Sequence, residues 1–233
     1  MIERQIVRKV VLDTETTGLD PKLGHRIIEI GCIELIHDIA TEGSDSQYWQ
    51  YINPERDMPE EAFAVHGLSA NFLFDKPLFA DIAEAFLEFI GEAPLIMHNA
   101  DFDMGFINAE LARIGQPSLE TGRAVDTVSL ARNKYPGAPV NLDALCKRFH
   151  INNSGRELHG ALKDARLLVD VYLELIGGRQ PDLALVGDKN KQQSAEINKT
   201  RTVRPARPHA PSEQELADHA AFVENLSEPV WRA

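Results

Sequence analysis

Positive charge, cysteine and long apolar runs are all scarce in this chain. Its 24 lysines and arginines stand against 36 acids, for a net charge of −12. That balance excludes a protein that grips nucleic acid through a broad basic surface, though not one that handles a polyanion through bound cations. The two cysteines, Cys32 and Cys146, are too few for a disulfide framework and both sit in apolar stretches. They read as reduced core residues of a cytoplasmic protein. No stretch approaches the ~20 apolar residues of a membrane span, and Met1-Ile2-Glu3-Arg4 lacks the basic start and apolar run of a signal peptide. No membrane contact is expected, and no internal repeat is present. With 233 residues, 43 % hydrophobic and 26 % charged, the chain is long enough for one well-cored domain with residues to spare.

Charge is unevenly spread. Residues 188–209 carry Lys189, Lys191, Lys199, Arg201, Arg204 and Arg207 against Asp188 and Glu196, giving +4, while residues 210–233 carry five acids against Arg232, giving −4. The first 187 residues therefore hold the whole −12, and a cation site belongs there.

The most informative stretch is Val10-Val11-Leu12-Asp13-Thr14-Glu15-Thr16-Thr17-Gly18. Apolar β-formers over 7–13 predict a buried strand that ends in two acids one residue apart. Side chains alternate across a strand, so Asp13 and Glu15 share a face and repel each other unless a cation or a proton intervenes. A strand surfacing into a solvated acidic turn would look the same, so the metal reading depends on further carboxylates.

Arg26 to Ile36 reads as a second strand, with Ile28, Ile30 and Cys32 on one face and Ile27, Ile33 and Leu35 on the other; apolar residues on both faces predict a central strand. Residues 47–53 predict a third, antiparallel strand. A short helix follows Pro59, and an amphipathic one follows Pro77 and stops at Gly91. Pro94–Met97 and Ala124–Val125 are short strands, the first followed by a helix to about Ile114. Asp126 or Thr127 caps the next helix, Asn141 another, and the last long one spans about Gly160 to Ile176. Strands first, then strands alternating with helices, predict an α/β fold: a mixed five-stranded sheet flanked by helices.

Three more residues draw attention. At 100° per residue, Asp103 lies about 60° from the centre of the Met104/Ile107/Leu111/Ile114 stripe and Asp101 about 100°. Asp103 is therefore turned toward the sheet, and Asp101 reads as a solvated helix-start residue. On the last helix Asp164 lies about 100° from Lys163, among Ala161, Ala165 and Leu168. A carboxylate on an apolar stripe is costly without a positive partner; a buried salt bridge or a cation shared with Asp13 and Glu15 would serve. Four acids from three segments make a hard-oxygen set suited to Mg²⁺ or Mn²⁺ rather than zinc. His159, just before that helix, can be an ordinary surface residue or a proton acceptor, since imidazole titrates near neutrality.

In order and spacing, D-T-E-T-T-G, H-N-A-x-F-D and H-x-A-x-x-D-A resemble the three motifs of the DEDD exonucleases, histidine subclass, over residues 6 to 177. The resemblance implies a ribonuclease H-like fold, two divalent cations (Mg²⁺ or Mn²⁺), and hydrolysis of nucleic acid from the 3′ end. It implies Asp13, Glu15, Asp103 and Asp164 as metal ligands and His159 as general base. Residues 61–67, 141–146 and the closing Trp231-Arg232-Ala233 resemble more narrowly the proofreading subunits of bacterial replicative DNA polymerases. That likeness implies that Glu15, Thr16, Glu61, His66 and Asp164 meet the terminal nucleotide of a single-stranded DNA 3′ end. Asp101 stands where the family often has a small residue, and Asp103 occupies the F-D position. An RNA-trimming exoribonuclease of the same superfamily and a non-catalytic docking module are the competing readings.

The expected organisation is an exonuclease domain over 1–180, a flexible linker over 181–211 and a polymerase-binding tail helix over 212–233. Asn, Gln, Lys, Arg and Pro dominate the linker. Ser212 and Glu215 predict a capping box. By resemblance, Gln180–Leu185 is a sliding-clamp motif, or else plain linker, and the tail docks on the polymerase's catalytic subunit through Leu216, Ala220, Val223, Leu226 and Trp231. Folding back on the nuclease domain is the alternative for the tail.

Overall fold

The computed structural model describes residues 7–41, 43–154, 158–177 and 211–225. The chain divides into two units, Met1–Asp182 and Leu183–Ala233. The first is built on a mixed sheet. Strand β1 (Arg8–Thr16) pairs antiparallel with β2 (Ile27–Ile36), whose other edge carries both β3 (Ile39–Ala40) and β4 (Gln47–Tyr51). The sheet thus has six strands rather than five, because two residues after the turn at His37 and Asp38 pair back on β2.

Helices α1 (Glu60–His66), α2 (Ala70–Leu73) and α3 (Phe79–Ile90) precede β5 (Leu95–Met97), which lies parallel to β1. Helix α4 (Ala100–Arg113) leads to β6 (Ala124–Asp126), parallel to β5. Helices α5 (Thr127–Lys134), α6 (Leu142–Phe149) and α7 (Ala161–Ile176) complete the unit. Asp126 caps α5 by accepting from Val128 N and Ser129 N, and Asn141 caps α6 through Ala144 N.

Alternation along β1 builds a core on each face. Val10 and Leu12 pack with Phe86 of α3 and Ile107 of α4; Val11 packs with Leu145 of α6 and Leu168 and Val171 of α7. Cys32 and Cys146 are buried, one in each of these two cores. Strand β1 runs three residues beyond the predicted end, since pairing with β2 continues through both acids to Thr16. There the register skips Ile28, and this bulge turns Ile27 into the α3–α4 core rather than the predicted opposite face. The strand therefore loses its regularity beside Glu15, where a site needs its side chains re-aimed.

In the second unit α8 (Glu213–Glu224) begins with the capping box between Ser212 and Glu215, and it exposes Leu216 and Phe222. Gln180–Leu185, the linker up to residue 210, Leu226 and Trp231 lie outside the described residues. No helix among the described residues is long and apolar enough to cross a membrane.

Candidate active site

The site grows from the end of β1, whose alternation sends its acids two ways. Asp13 and Glu15 share the Val11 face, over which α7 lies, while Thr14 faces α4. One turn into α4, Asp103 accepts two bonds at Oδ1, from Thr14 N (3.1 Å) and Thr14 Oγ1 (2.7 Å). Asp103 is buried and Asp101 exposed, as the helical spacing predicts. Asp164, in the first turn of α7, is only 3 % exposed. Its Oδ2 lies 3.5 Å from Nδ1 of His159, whose side chain is 43 % exposed on the loop before the helix.

All eight residues singled out from the sequence (Asp13, Glu15, Thr16, Glu61, His66, Asp103, His159, Asp164) line one cavity of about 680 Å³. Within it Glu15, His159 and Asp164 offer ligand atoms that all lie within 4.8 Å of one another. Asp13 and Asp103 line the same cavity. His159 is thus near enough to the acids to serve as a ligand as well as a base.

Burial raises the Asp103 carboxyl to about 7, against the pull of its bonds from Thr14. A carboxyl buried this deeply keeps its proton to unusually high pH unless a positive charge is placed beside it. Divalent cations fit the site: the donors are mostly hard carboxylate oxygens, and a bound ion would favour the ionised form of Asp103.

Glu61 and His66 reach the cavity from α1. His66 is buried; its Nδ1 accepts from Leu68 N at 3.0 Å, while Nε2 has no partner among the described residues. Burial first, and the nearby His159 second, push the His66 ring down to about 4. The imidazole is therefore neutral at physiological pH, with its proton on Nε2, a buried donor without an acceptor. Thr16 Oγ1 donates to Gly18 O at 2.6 Å and helps turn the chain out of β1. Gly18 is required there because a Cβ would overlap the His25 ring.

Several wall residues were missed from the sequence. Thr14 could have been found by asking which residue of D-T-E faces the other way. Glu29 is not part of the wall, but it lies opposite Glu15 across the β1–β2 ladder and is buried in an otherwise apolar run; the reasoning that flagged Asp164 applies equally to it. His98 and the apolar Leu19, Leu23, Val65 and Phe102 also line the cavity, and nothing in their local sequence distinguishes them from ordinary loop and helix residues.

A family model described as Exonuclease matches residues 10–172. The chain is 48 % identical over 226 residues to the DNA polymerase III subunit epsilon of Rickettsia felis, covering 94 % of this chain and 97 % of that one. It belongs to the exonuclease family of DNA polymerase III epsilon subunits. The Escherichia coli (strain K12) epsilon subunit is 38 % identical over 242 residues, covering 98 % of each chain. Among solved structures, exonuclease X in complex with 5′ overhanging duplex DNA superposes with a TM-score of 0.56 at 24 % identity, over 72 % of this chain and 90 % of that one. The nuclease domain of 3′hExo, a DEDDh family member bound to rAMP, gives 0.62 at 15 % identity, over 74 % and 93 %. These two likenesses show the fold. Epsilon-family membership and the meeting of the acids from β1, α4 and α7 in one cavity agree with each other.

Proposed function

We infer that the chain is a 3′–5′ exonuclease that removes mispaired 3′-terminal nucleotides from DNA, the proofreading subunit of DNA polymerase III. The observation that carries the reading is convergence: four acids from β1, α4 and α7 meet in one cavity with an imidazole, in a chain whose similarity to epsilon subunits spans 94 % of its length. That full-length similarity favours the DNA enzyme over an RNA trimmer, and the complete acid set argues against a docking module without chemistry.

Asp13, Glu15, Asp103 and Asp164 would hold two divalent cations, Mg²⁺ or Mn²⁺. Bound there, the pair would supply Lewis-acid chemistry, favouring ionisation of the attacking water and neutralising charge on the leaving oxygen. The protein's own part is orientation and proton transfer. His159 takes the proton of the attacking water as its oxygen bonds to phosphorus and the P–O3′ bond breaks. Asp164, 3.5 Å from the ring, orients the imidazole and stabilises the imidazolium. Thr14 holds the Asp103 carboxylate in place. His66 Nε2–H and Glu61 meet the terminal nucleotide, while Leu19, Leu23, Val65 and Phe102 give base and sugar an apolar wall. A cavity of this kind takes a frayed end, and mispaired termini fray at lower cost.

The tail is read as the docking element. A twelve-residue helix with exposed Leu216 and Phe222 has too little contact to be stable alone. Seated on the polymerase's catalytic alpha subunit, it would keep the nuclease near the primer end at high effective concentration. Gln180–Leu185 would add a contact to the sliding clamp, and a replication subunit of this kind works in the cytoplasm.

The deciding experiment is hydrolysis of a 3′-mispaired primer. Release of the terminal nucleoside monophosphate with Mg²⁺, and none with chelator, is expected; no release under either condition would overturn the reading. Truncation after Arg207 should spare cleavage of single-stranded DNA and abolish co-purification with the alpha subunit. Retained binding would move the contact to the nuclease domain.

A further inference from the structure

Glu29 is a further buried carboxylate next to this site, and no role described so far uses it. It is 3 % exposed and stands in β2 directly opposite Glu15. Both of its oxygens are engaged away from the cavity. Oε2 accepts from the backbone N–H of Ala161 at 3.1 Å, and Oε1 accepts from Trp49 Nε1 at 2.6 Å.

Ala161 is the first residue of α7, and its N–H is one of the groups a helix start leaves without an internal partner. The residue before it, Gly160, has no side chain with which to cap, so the cap comes from the neighbouring strand. A carboxylate in that place also complements the positive end of the helix. Two residues along β2, Gly31 lets the helix start lie directly on the strand, since a Cβ would overlap Ala161 and Leu162 backbone atoms. Glu29 and Gly31 therefore set the height and rotation of the first turn of α7. That turn carries Asp164 and follows His159 immediately, so an error in its placement is passed to both.

We propose that Glu29, braced by Trp49, is a positioning residue for the exonuclease reaction: it caps α7 from β2 and thereby aims Asp164 and His159 at Glu15. The inference rests on the exonuclease reading for its rate measurements but not for its metal-binding measurement. Side chains that orient metal ligands without touching the metal typically cost 10–100-fold in affinity or activity when changed.

Three variants separate position from charge. Glu29→Gln keeps the length but sets an amide against two N–H donors. Glu29→Asp keeps the charge but withdraws it by one methylene from Ala161. Trp49→Phe keeps an aromatic side chain, smaller than the indole, and removes the bracing donor. Each is assayed for cleavage of a single-stranded DNA 3′ end, for Mn²⁺ binding without DNA by calorimetry, and for melting temperature. Glu29→Gln and Glu29→Asp should each lower kcat by about 10-fold or more with KM unchanged, and weaken Mn²⁺ binding by about 10-fold, the lower end of the range above. The melting temperature should hold, and Trp49→Phe should move in the same direction by less. A Glu29→Asp protein with wild-type kcat and Mn²⁺ affinity would overturn the proposal, because charge rather than position would then suffice. A loss of rate that merely tracks a fall in melting temperature would overturn it as well. If Glu29 variants fail to fold, Trp49→Phe decides, since wild-type kcat and Mn²⁺ affinity in that variant would refute the brace. If wild-type protein bound Mn²⁺ but cleaved no DNA end, the exonuclease reading alone would fall, and the Mn²⁺ affinities would still decide the role of Glu29.

Discussion

Asp164 and His159 are five residues apart in the chain and 3.5 Å apart in space, yet they belong to different kinds of structure. Asp164 is held in the first turn of a helix packed on the sheet, and Asp103 and Glu15 are likewise buried on regular elements. His159 stands on a loop with nearly half its side chain in solvent, tied to the fold by its backbone N–H to Val65 O at 3.1 Å. The division fits the roles proposed for each group. Carboxylates that repel one another have to be held together by the fold, because left to themselves they would move apart or take up protons. A group that gains and loses a proton each turnover needs access to water.

Breaking the rigid side should have the largest effect. Asp13→Ala or Glu15→Ala should lower kcat by on the order of 10³-fold or more, since cation stabilisation of developing charge is worth several kcal/mol. Melting temperature measured without metal should stay level or rise, because one source of repulsion is gone. A clear fall would mean that these acids hold the fold rather than the cations.

Next comes the loop side. His159→Ala should cost about 10²–10⁴-fold in kcat, the usual range for a general base, while Mn²⁺ affinity and DNA binding persist. The proximity of the ring to Glu15 and Asp164 makes this a sharp test. Mn²⁺ affinity lost together with the imidazole would make His159 a ligand and erase the division.

The same division governs what could be read in the sequence. The acids were legible because each violates a local pattern: Asp13 and Glu15 end an apolar strand, and Asp164 interrupts an apolar helix stripe. Apolar residues on both faces of Arg26–Ile36 likewise announced a sheet covered on both sides, and two cores flank it. Glu61 and His66 carry no such signal; on α1 they look like a helix-start acid and a loop histidine, and only family likeness drew attention to them. The turn that forms β3 and the bulge at Ile28 depend on strand pairing over distance, which no local pattern records. Thr14 was hidden by its company, since a hydroxyl between two acids reads as part of the turn until Asp103 is brought up against it from residue 103 of the chain.

A third test sharpens how firmly Asp103 is held. Thr14→Val is nearly isosteric and removes only the Oγ1 bond, leaving the 3.1 Å bond from the backbone N–H. Loss of a ligand-orienting partner should lower kcat by about 10-fold, the mild end of the usual range. It should also raise the Asp103 proton affinity further, since the hydroxyl bond is among the interactions that oppose burial. An acid limb of the pH–rate profile that stays in place would mean that the backbone bond alone sets the carboxylate.

The smallest expected effect lies in stability rather than rate, and it has two opposing parts. Without cations, burial raises folded Asp103 to about 7, whereas an unfolded aspartate titrates at about 3.9. Between those values the folded chain keeps a proton that the unfolded chain has lost. Stability from this group is therefore full below about pH 4 and is lost as pH rises through about 7. His66 runs the other way. Its ring is pushed down to about 4 by burial and by His159, whereas an unfolded histidine titrates at about 6.5. Its contribution is full above that value and is lost as pH falls toward 4. In metal-free wild-type protein the two slopes cross the same window, so melting temperature should vary little between pH 4 and 6.5. Asp103→Asn should unmask a melting temperature that rises with pH across that window, and His66→Phe one that falls with pH up to about 7. Adding Mg²⁺ at neutral pH should stabilise wild type, because the ion favours the ionised carboxylate, and should do little for Asp103→Asn. If Asp103→Asn and wild type melted in parallel across the whole range without metal, Asp103 would not be holding a proton, and burial would not be raising its carboxyl as described.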